Sequence, residues 1–194
     1  MHIAIEGLDG VGKTSTAKIL AETLGFTFME KPMQFFVDTN DELKKYMYLT
    51  NWLNKEASNT LKACFYGCGN LLVSMEAKKK NIITDRHLAS NWYWNGDNEN
   101  KGLFDCLIKD AGIPDLTVIL YAPPEIRKQR IISRDPNDKD IGRFDTLPPD
   151  AYDKMESLVK QYSMPYIFID NSNMDAKQTV EIIITKSREV GLLL

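Results

Sequence analysis

The chain has 194 residues, 43% apolar and 26% charged, which suits one domain with a full core. A formal net charge of −3 argues against a polyanion-binding surface, so no nucleic-acid partner is expected. No apolar run approaches a membrane span and no amino-terminal signal pattern is visible, which gives the expectation of a cytoplasmic protein with no membrane partner.

In chain order, the strand-like run His2-Ile3-Ala4-Ile5-Glu6 passes straight into Gly7-Leu8-Asp9-Gly10-Val11-Gly12-Lys13-Thr14. This is the G-x-x-x-x-G-K-T spacing in the context that gives it meaning, with a strand before it and an amphipathic helix after. Gly7, Gly10 and Gly12 allow a tight turn whose N–H groups converge on phosphate oxygens, and the positive end of the following helix reinforces the cradle. Lys13 can bridge the outer phosphates of ATP, and the Thr14 hydroxyl suits a hydrated Mg²⁺. The expected ATP-binding set is Gly7, Gly10, Val11, Gly12, Lys13, Thr14 and Ser15. Ala17, Leu20, Ala21 and Leu24 share one face of the helix, and Gly25 stands where a C-cap glycine belongs.

A short second strand, Phe26-Thr27-Phe28-Met29, ends at Lys31-Pro32. Residues 41 to 80 read as helical in at least two pieces. In the second, Leu61, Cys64, Phe65, Cys68, Leu71, Leu72 and Met75 form an apolar stripe, so Cys64 and Cys68 read as buried thiols. With Cys106 they make an odd number, which is no disulfide framework. Asn81-Ile82-Ile83-Thr84-Asp85 is a third strand and residues 115 to 122 a fourth, nearly all apolar as for a strand covered on both faces. A helix follows from Pro123-Pro124 to about Arg134, then a polar segment, 135–147, that reads as a mobile lid. A helix from 149 to about 162, a fifth strand at 166–170 and a last helix from about 175 to 190 complete the chain. The alternation implies an α/β fold, a five-stranded parallel sheet with helices on both faces, in a single domain spanning 1–194.

Ligands of such sheets sit at the carboxyl ends of the strands. Asp85 at that edge can hold Mg²⁺ through water, and Arg86 can clamp a second phosphate with its fork. Arg127, Arg130 and Arg134 fall at i, i+3, i+7, with Arg143 beyond them. For Arg127 the plainer reading is a solvated helix face, whereas Arg134 and Arg143 read as lid cations. No N-K-x-D guanine-reading sequence is present. A small single-domain phosphotransferase is what remains.

Four segments then resemble the thymidylate kinase family in order and spacing: residues 6–14, Thr84-Asp85-Arg86-His87-Leu88-Ala89-Ser90-Asn91, Pro114-Asp115-Leu116-Thr117-Val118-Ile119-Leu120 and Arg143-Phe144-Asp145. The resemblance covers nearly the whole chain and implies a P-loop nucleoside monophosphate kinase acting on thymidylate, with ATP as donor and Mg²⁺ as cofactor. It implies that Asp9 accepts from a deoxyribose 3′-hydroxyl and that Arg86 binds the acceptor 5′-phosphate. It further places Phe65 on the base, Asn91 near the base edge and Trp94 against the sugar 2′ position. With no Arg in the phosphate loop, Arg134 and Arg143 would supply the catalytic cation. Family members are commonly dimers, so a homodimer is implied.

The sequence departs from the family in three places. Glu30-Lys31-Pro32 stands where the family has Arg-Glu-Pro, leaving Lys31 as the substitute phosphate partner; Gly69 replaces an Arg that reads the base; and His87 replaces a Tyr. Glu30 before a proline also resembles the deoxynucleoside kinases, where that Glu deprotonates a sugar 5′-hydroxyl. A deoxynucleoside kinase, or a non-catalytic ATP-binding switch, are therefore the alternatives.

Overall fold

The computed structural model describes residues 1–30, 32–33, 44–138, 140–142 and 150–192. Lys31, Arg143 and the second half of the expected lid lie outside them. Five strands form one parallel sheet in the order β2-β3-β1-β4-β5: β1 His2–Glu6, β2 Thr27–Glu30, β3 Ile82–Asp85, β4 Leu116–Tyr121 and β5 Tyr166–Asp170. The order reverses between β1 and its neighbours β3 and β4, so the crevice for a ligand opens beyond the carboxyl end of β1.

Among the described residues eight helices are interleaved: α1 Lys13–Leu24, α2 Lys44–Glu56, α3 Asn59–Ala77, α4 Leu88–Asn95, α5 Lys101–Ala111, α6 Pro124–Arg134, α7 Ala151–Gln161 and α8 Ala176–Glu189. Their ends follow local chemistry. Gly25 closes α1 in the left-handed conformation (φ 67°), as the sequence suggests. The Ser58 hydroxyl caps α3 by accepting from Leu61 N at 3.2 Å, and Asp175 with Gln178 forms a capping box on α8. Pro124 sits in the first turn of α6, where its missing N–H costs nothing.

The strands alternate their side chains between two cores. Ile3, Ile5, Val118 and Leu120 face α1 and α8, meeting Leu20, Val180 and Ile183. Ile119 faces the opposite layer, where α3, α4, α5 and α7 bury Ala63, Leu88, Phe104, Leu107, Met155 and Leu158. The segment between β3 and β4, to which the sequence reading assigned no helix, forms α4 and α5 and fills this second layer.

The α3 stripe differs from expectation. The buried face carries Ala63, Gly67, Asn70 and Val73, while Leu61 and Met75 are exposed, Cys68 is exposed and Cys64 half-buried. The reason is close packing on α5. A Cβ on Gly67 would come within 2.7 Å of Leu107 Cδ1, so only small residues let the two helices approach. Neither Cys64 nor Cys68 is the buried thiol that spacing suggested. Of the expected lid, residues 136–137 form a turn and 140–142 a single 3₁₀ turn.

Candidate active site

The phosphate loop leaves β1 at Gly7 and enters α1 at Lys13. Its glycines answer to close contacts: a Cβ on Gly7 (φ 136°) would meet the Leu120 carbonyl oxygen at 2.5 Å, and one on Gly10 (φ 81°) the Arg127 carbonyl oxygen at 2.5 Å. The carbonyl side of the loop is tied down by the protein itself. Arg127 Nη1 donates to Asp9 O at 3.3 Å, Arg130 Nη1 to Val11 O at 3.2 Å, Asn171 Nδ2 to Val11 O at 2.8 Å, and Lys13 Nζ to Leu8 O at 2.8 Å. Holding the carbonyls back leaves the N–H side and the start of α1 to meet an anion.

Arg127 is therefore not on a solvated face; it is 2% exposed, and its Nε also donates to Ala122 O at 3.1 Å. Arg130 fastens the loop to residues after β5, through the carbonyls of Asn171, Ser172 and Met174. Sequence reasoning missed both as loop supports. The available signal was their position in the first two turns after β4, the strand beside β1.

Lys13 is buried, and burial lowers its ammonium pKa to about 8; Arg86 adds to that and the carboxylates of Asp9, Asp85 and Glu6 oppose it. Beside it, the Thr14 hydroxyl donates to Asp85 Oδ2. Asp85 Oδ1 is buried and meets no hydrogen-bond donor among the described residues. A hydroxyl and a carboxylate with one oxygen left over, at the mouth of a phosphate loop, fit a hard, oxygen-seeking Mg²⁺. Val11 is buried in the loop, Gly12 turns into α1 with φ 100°, and Ser15 is exposed on the first turn.

Arg86 follows β3 with a left-handed backbone, φ 73°, rare for a side-chain-bearing residue. It is held from two sides. Its guanidinium pairs with Asp9 and donates to Gly7 O and Ser90 Oγ, both at 3.3 Å. Its backbone N–H donates to Ile5 O at 2.9 Å, and the residues that follow it are held by Glu6, the last residue of β1, which is 1% exposed. The Glu6 carboxylate accepts from His87 N at 2.9 Å, Ala89 N at 3.1 Å, Ser90 N at 3.2 Å and the Ser90 hydroxyl. A carboxylate from a neighbouring strand thus caps α4, and the turn carrying Arg86 cannot relax. Burial pushes the Glu6 pKa up, against these hydrogen bonds. Sequence reasoning treated Glu6 as strand only.

Asp9 is the meeting point: Lys13 Nζ stands 3.8 Å from its carboxylate while Arg86 pairs with it directly. From there a cavity of about 460 Å³ runs beneath α3 and α4. Asp9, Asp85, Arg86, Asn91 and Trp94 line it, and so does Gly69. Of the α3 aromatics, Tyr66 lines the cavity, whereas Phe65 is absent from its walls. The Phe65 ring instead stands 6.4 Å from that of Tyr46 and 5.2 Å from that of Tyr66. A one-residue step on a helix turns a side chain by about 100°, enough to exchange the two roles. Asn91 lines the cavity, but its amide is engaged: Nδ2 donates to Ala63 O at 3.1 Å and Oδ1 accepts from Asn95 at 3.0 Å.

Glu30 ends β2 in register with Asp85 but is not among the cavity walls. Its charge still reaches the site, because the Tyr46 hydroxyl, a cavity residue, is pushed up first by burial and then by Tyr66 and Glu30. Arg134 is 67% exposed at the end of α6, paired with Asp138 and away from the cavity walls. No helix among the described residues is long and apolar enough to cross a membrane.

The thymidylate kinase family profile matches residues 5–182. A cytidylate kinase of Methanocaldococcus jannaschii is 27% identical over 195 aligned positions, covering 97% of this chain and 89% of that protein. Among solved structures, a thymidylate kinase from Ehrlichia chaffeensis superposes with a TM-score of 0.61 at 18% identity, covering 97% of this chain and 98% of the other. A deoxyadenosine kinase from M. mycoides, with products dCMP and a flexible dCDP bound, does so at 0.59 and 19%, covering 98% and 100%. At these identities the structural likenesses speak to the fold.

Proposed function

This chain belongs to the thymidylate kinase family of nucleoside monophosphate kinases, and we propose that it transfers the γ-phosphoryl of ATP to the 5′-phosphate of a pyrimidine deoxynucleotide, thymidylate being the reference acceptor. One observation carries the reading. Two cations, Lys13 from the start of α1 and Arg86 from the end of β3, converge on the single carboxylate of Asp9 at the mouth of a cavity of about 460 Å³. Replacing that internal pair by two phosphates puts donor and acceptor head to head.

The roles follow from placement. The loop N–H groups and Lys13 grip the donor, and Arg86, released from Asp9, takes the acceptor phosphate. Asp9 then accepts from the sugar hydroxyl. Thr14 and Asp85 would hold Mg²⁺, which when bound would supply neutralisation of the phosphate charge. The acceptor phosphate is already ionised, so no general base is needed.

A second reading, a deoxynucleoside kinase, is favoured by Glu30. It lies level with Asp85 across the β2–β3 register and acts on the Tyr46 wall. An alcohol acceptor would require that carboxylate as base. Coupled ADP release over nucleosides and nucleoside monophosphates, with wild type and Glu30→Gln, separates the two. Turnover of monophosphates that survives Glu30→Gln supports the first reading. Turnover of unphosphorylated nucleosides alone, abolished by Glu30→Gln, supports the second.

A further inference from the structure

A line of four buried asparagines runs from the α4–α5 connection to the cavity wall. Asn100 Nδ2 donates to Asn95 O at 2.8 Å, Asn95 Nδ2 to Asn91 Oδ1 at 3.0 Å and Asn91 Nδ2 to Asn70 Oδ1 at 3.4 Å. None is more than 5% exposed. Four amides on one buried path are unexpected, since apolar side chains would fill the layer without desolvating polar groups. Their arrangement has a direction, and a backbone carbonyl sets it. Asn91 Nδ2 also donates to Ala63 O at 3.1 Å, a contact that only the nitrogen end of the amide can make. The end of Asn70 turned to Asn91 is consequently its oxygen.

The nitrogen of Asn70 must then point the other way. Asn70 is one of the cavity residues, and its Nδ2 is not sealed from the cavity as a buried orphan. Among the described residues that nitrogen meets no acceptor. The neighbouring position strengthens the case. Gly69 offers no side chain, and a Cβ there would come within 3.1 Å of Pro32 Cγ and 3.3 Å of Met33 Cγ. A side chain at 69 would need Pro32 or Met33 to give way, and beside Gly69 the Asn70 amide joins Lys62 and Tyr66 as a polar group that α3 offers the cavity.

We propose that Asn70 determines base specificity: its amide nitrogen, aimed by Asn91 and the Ala63 carbonyl, donates a hydrogen bond to an acceptor atom on the edge of the nucleobase. The inference rests on a nucleoside or nucleotide occupying the cavity, as the proposed function holds, but not on which of the two is phosphorylated. A fixed donor meets a ring nitrogen or carbonyl oxygen and repels a facing N–H, so it selects among bases without touching sugar or phosphate.

The test is calorimetric binding of the four deoxynucleosides, their monophosphates and abasic deoxyribose 5-phosphate to wild type and Asn70→Asp. The substitution keeps the size and replaces the donor by an acceptor. It should weaken the preferred base by at least ~10-fold and reorder the panel, because a buried polar pairing is lost. Binding of the abasic phosphate should not change. Should Asn70→Asp fail to fold, wild type alone decides through analogues of the preferred nucleotide in which each base acceptor in turn is replaced by C–H; one of them should lose at least ~10-fold. An unchanged base ranking, an equal loss for the abasic phosphate, or full affinity for every such analogue would overturn the proposal. Monophosphates that bind and are selected through Asn70 without being turned over would instead sink the monophosphate kinase reading and leave this one standing.

Discussion

Arg86 and Asp9 form an ion pair across the mouth of the cavity, the guanidinium coming from the end of β3 and the carboxylate from the phosphate loop. Burial works against the charge on Arg86, but Asp9, Asp85 and Glu6 outweigh it, so the site keeps a cation facing a carboxylate. A pair of this kind holds Arg86 ready and gives way when a doubly charged phosphate competes for the fork. Arg86→Ala should slow transfer by at least ~100-fold, the usual effect of removing one preorganised donor, with ATP affinity altered far less. Steady-state kinetics with acceptor and ATP varied in turn measure the split.

Glu6 fixes the turn behind that arginine. In Glu6→Gln the shape is kept, yet one end of the amide becomes a donor facing donors, whichever way it is flipped. Stability should fall on the order of 2 kcal/mol, measured by urea unfolding, and the acceptor KM should rise because Arg86 loses its support. An unchanged denaturation midpoint would mean that the α4 cap contributes nothing.

Lys13 gives a proton-linkage prediction. Burial holds its pKa near 8 in the free protein, and a bound triphosphate must raise it again. Above pH 8, ATP binding should therefore weaken with rising pH and take up protons. Calorimetry in buffers of different ionisation enthalpy reads this directly, and Lys13→Arg should remove the uptake.

Histidine burial sets part of the acid limit. His2 and His87 pack ring to edge, 4.6 Å between centroids, and burial lowers the His2 pKa to about 4 and that of His87 well below the ordinary value. In the unfolded chain both titrate near 6.5, so below that pH the unfolded state binds more protons. Their contribution is intact above pH 6.5 and is lost as pH falls toward 4. Glu6, with its raised pKa, acts with the opposite sign. The difference between wild type and His2→Gln subtracts it, and the slope of stability against pH should be shallower in the variant over that window.

The asymmetry between what could be read in the sequence and what could not has a physical pattern. The phosphate loop, the strands and the Asp85-Arg86 edge depend on local backbone chemistry, and they stand where spacing put them. The inner face of α4 was hard to read because it buries Ser90, Asn91 and Asn95 among its apolar residues, whereas the Leu103, Phe104, Leu107 and Ile108 spacing of α5 was legible and was missed. On α3 the apolar stripe misled for the complementary reason: close approach to α5 selects Ala63 and Gly67 for the inside and leaves Leu61 and Met75 in solvent. The exchange of Phe65 for Tyr66 at the cavity wall has the same origin. Arg127 and Arg130 were visible as a row of charges, but only tertiary structure shows that the phosphate loop lies against them.

The most direct test of two phosphates meeting between Lys13 and Arg86 is inhibition by a bisubstrate compound, adenosine joined to the acceptor nucleoside through a continuous polyphosphate bridge. One molecule should bind per chain, compete with both ATP and acceptor, and lose most of its advantage over ATP in Arg86→Ala. Competition with ATP alone, at unchanged affinity in Arg86→Ala, would contradict the account.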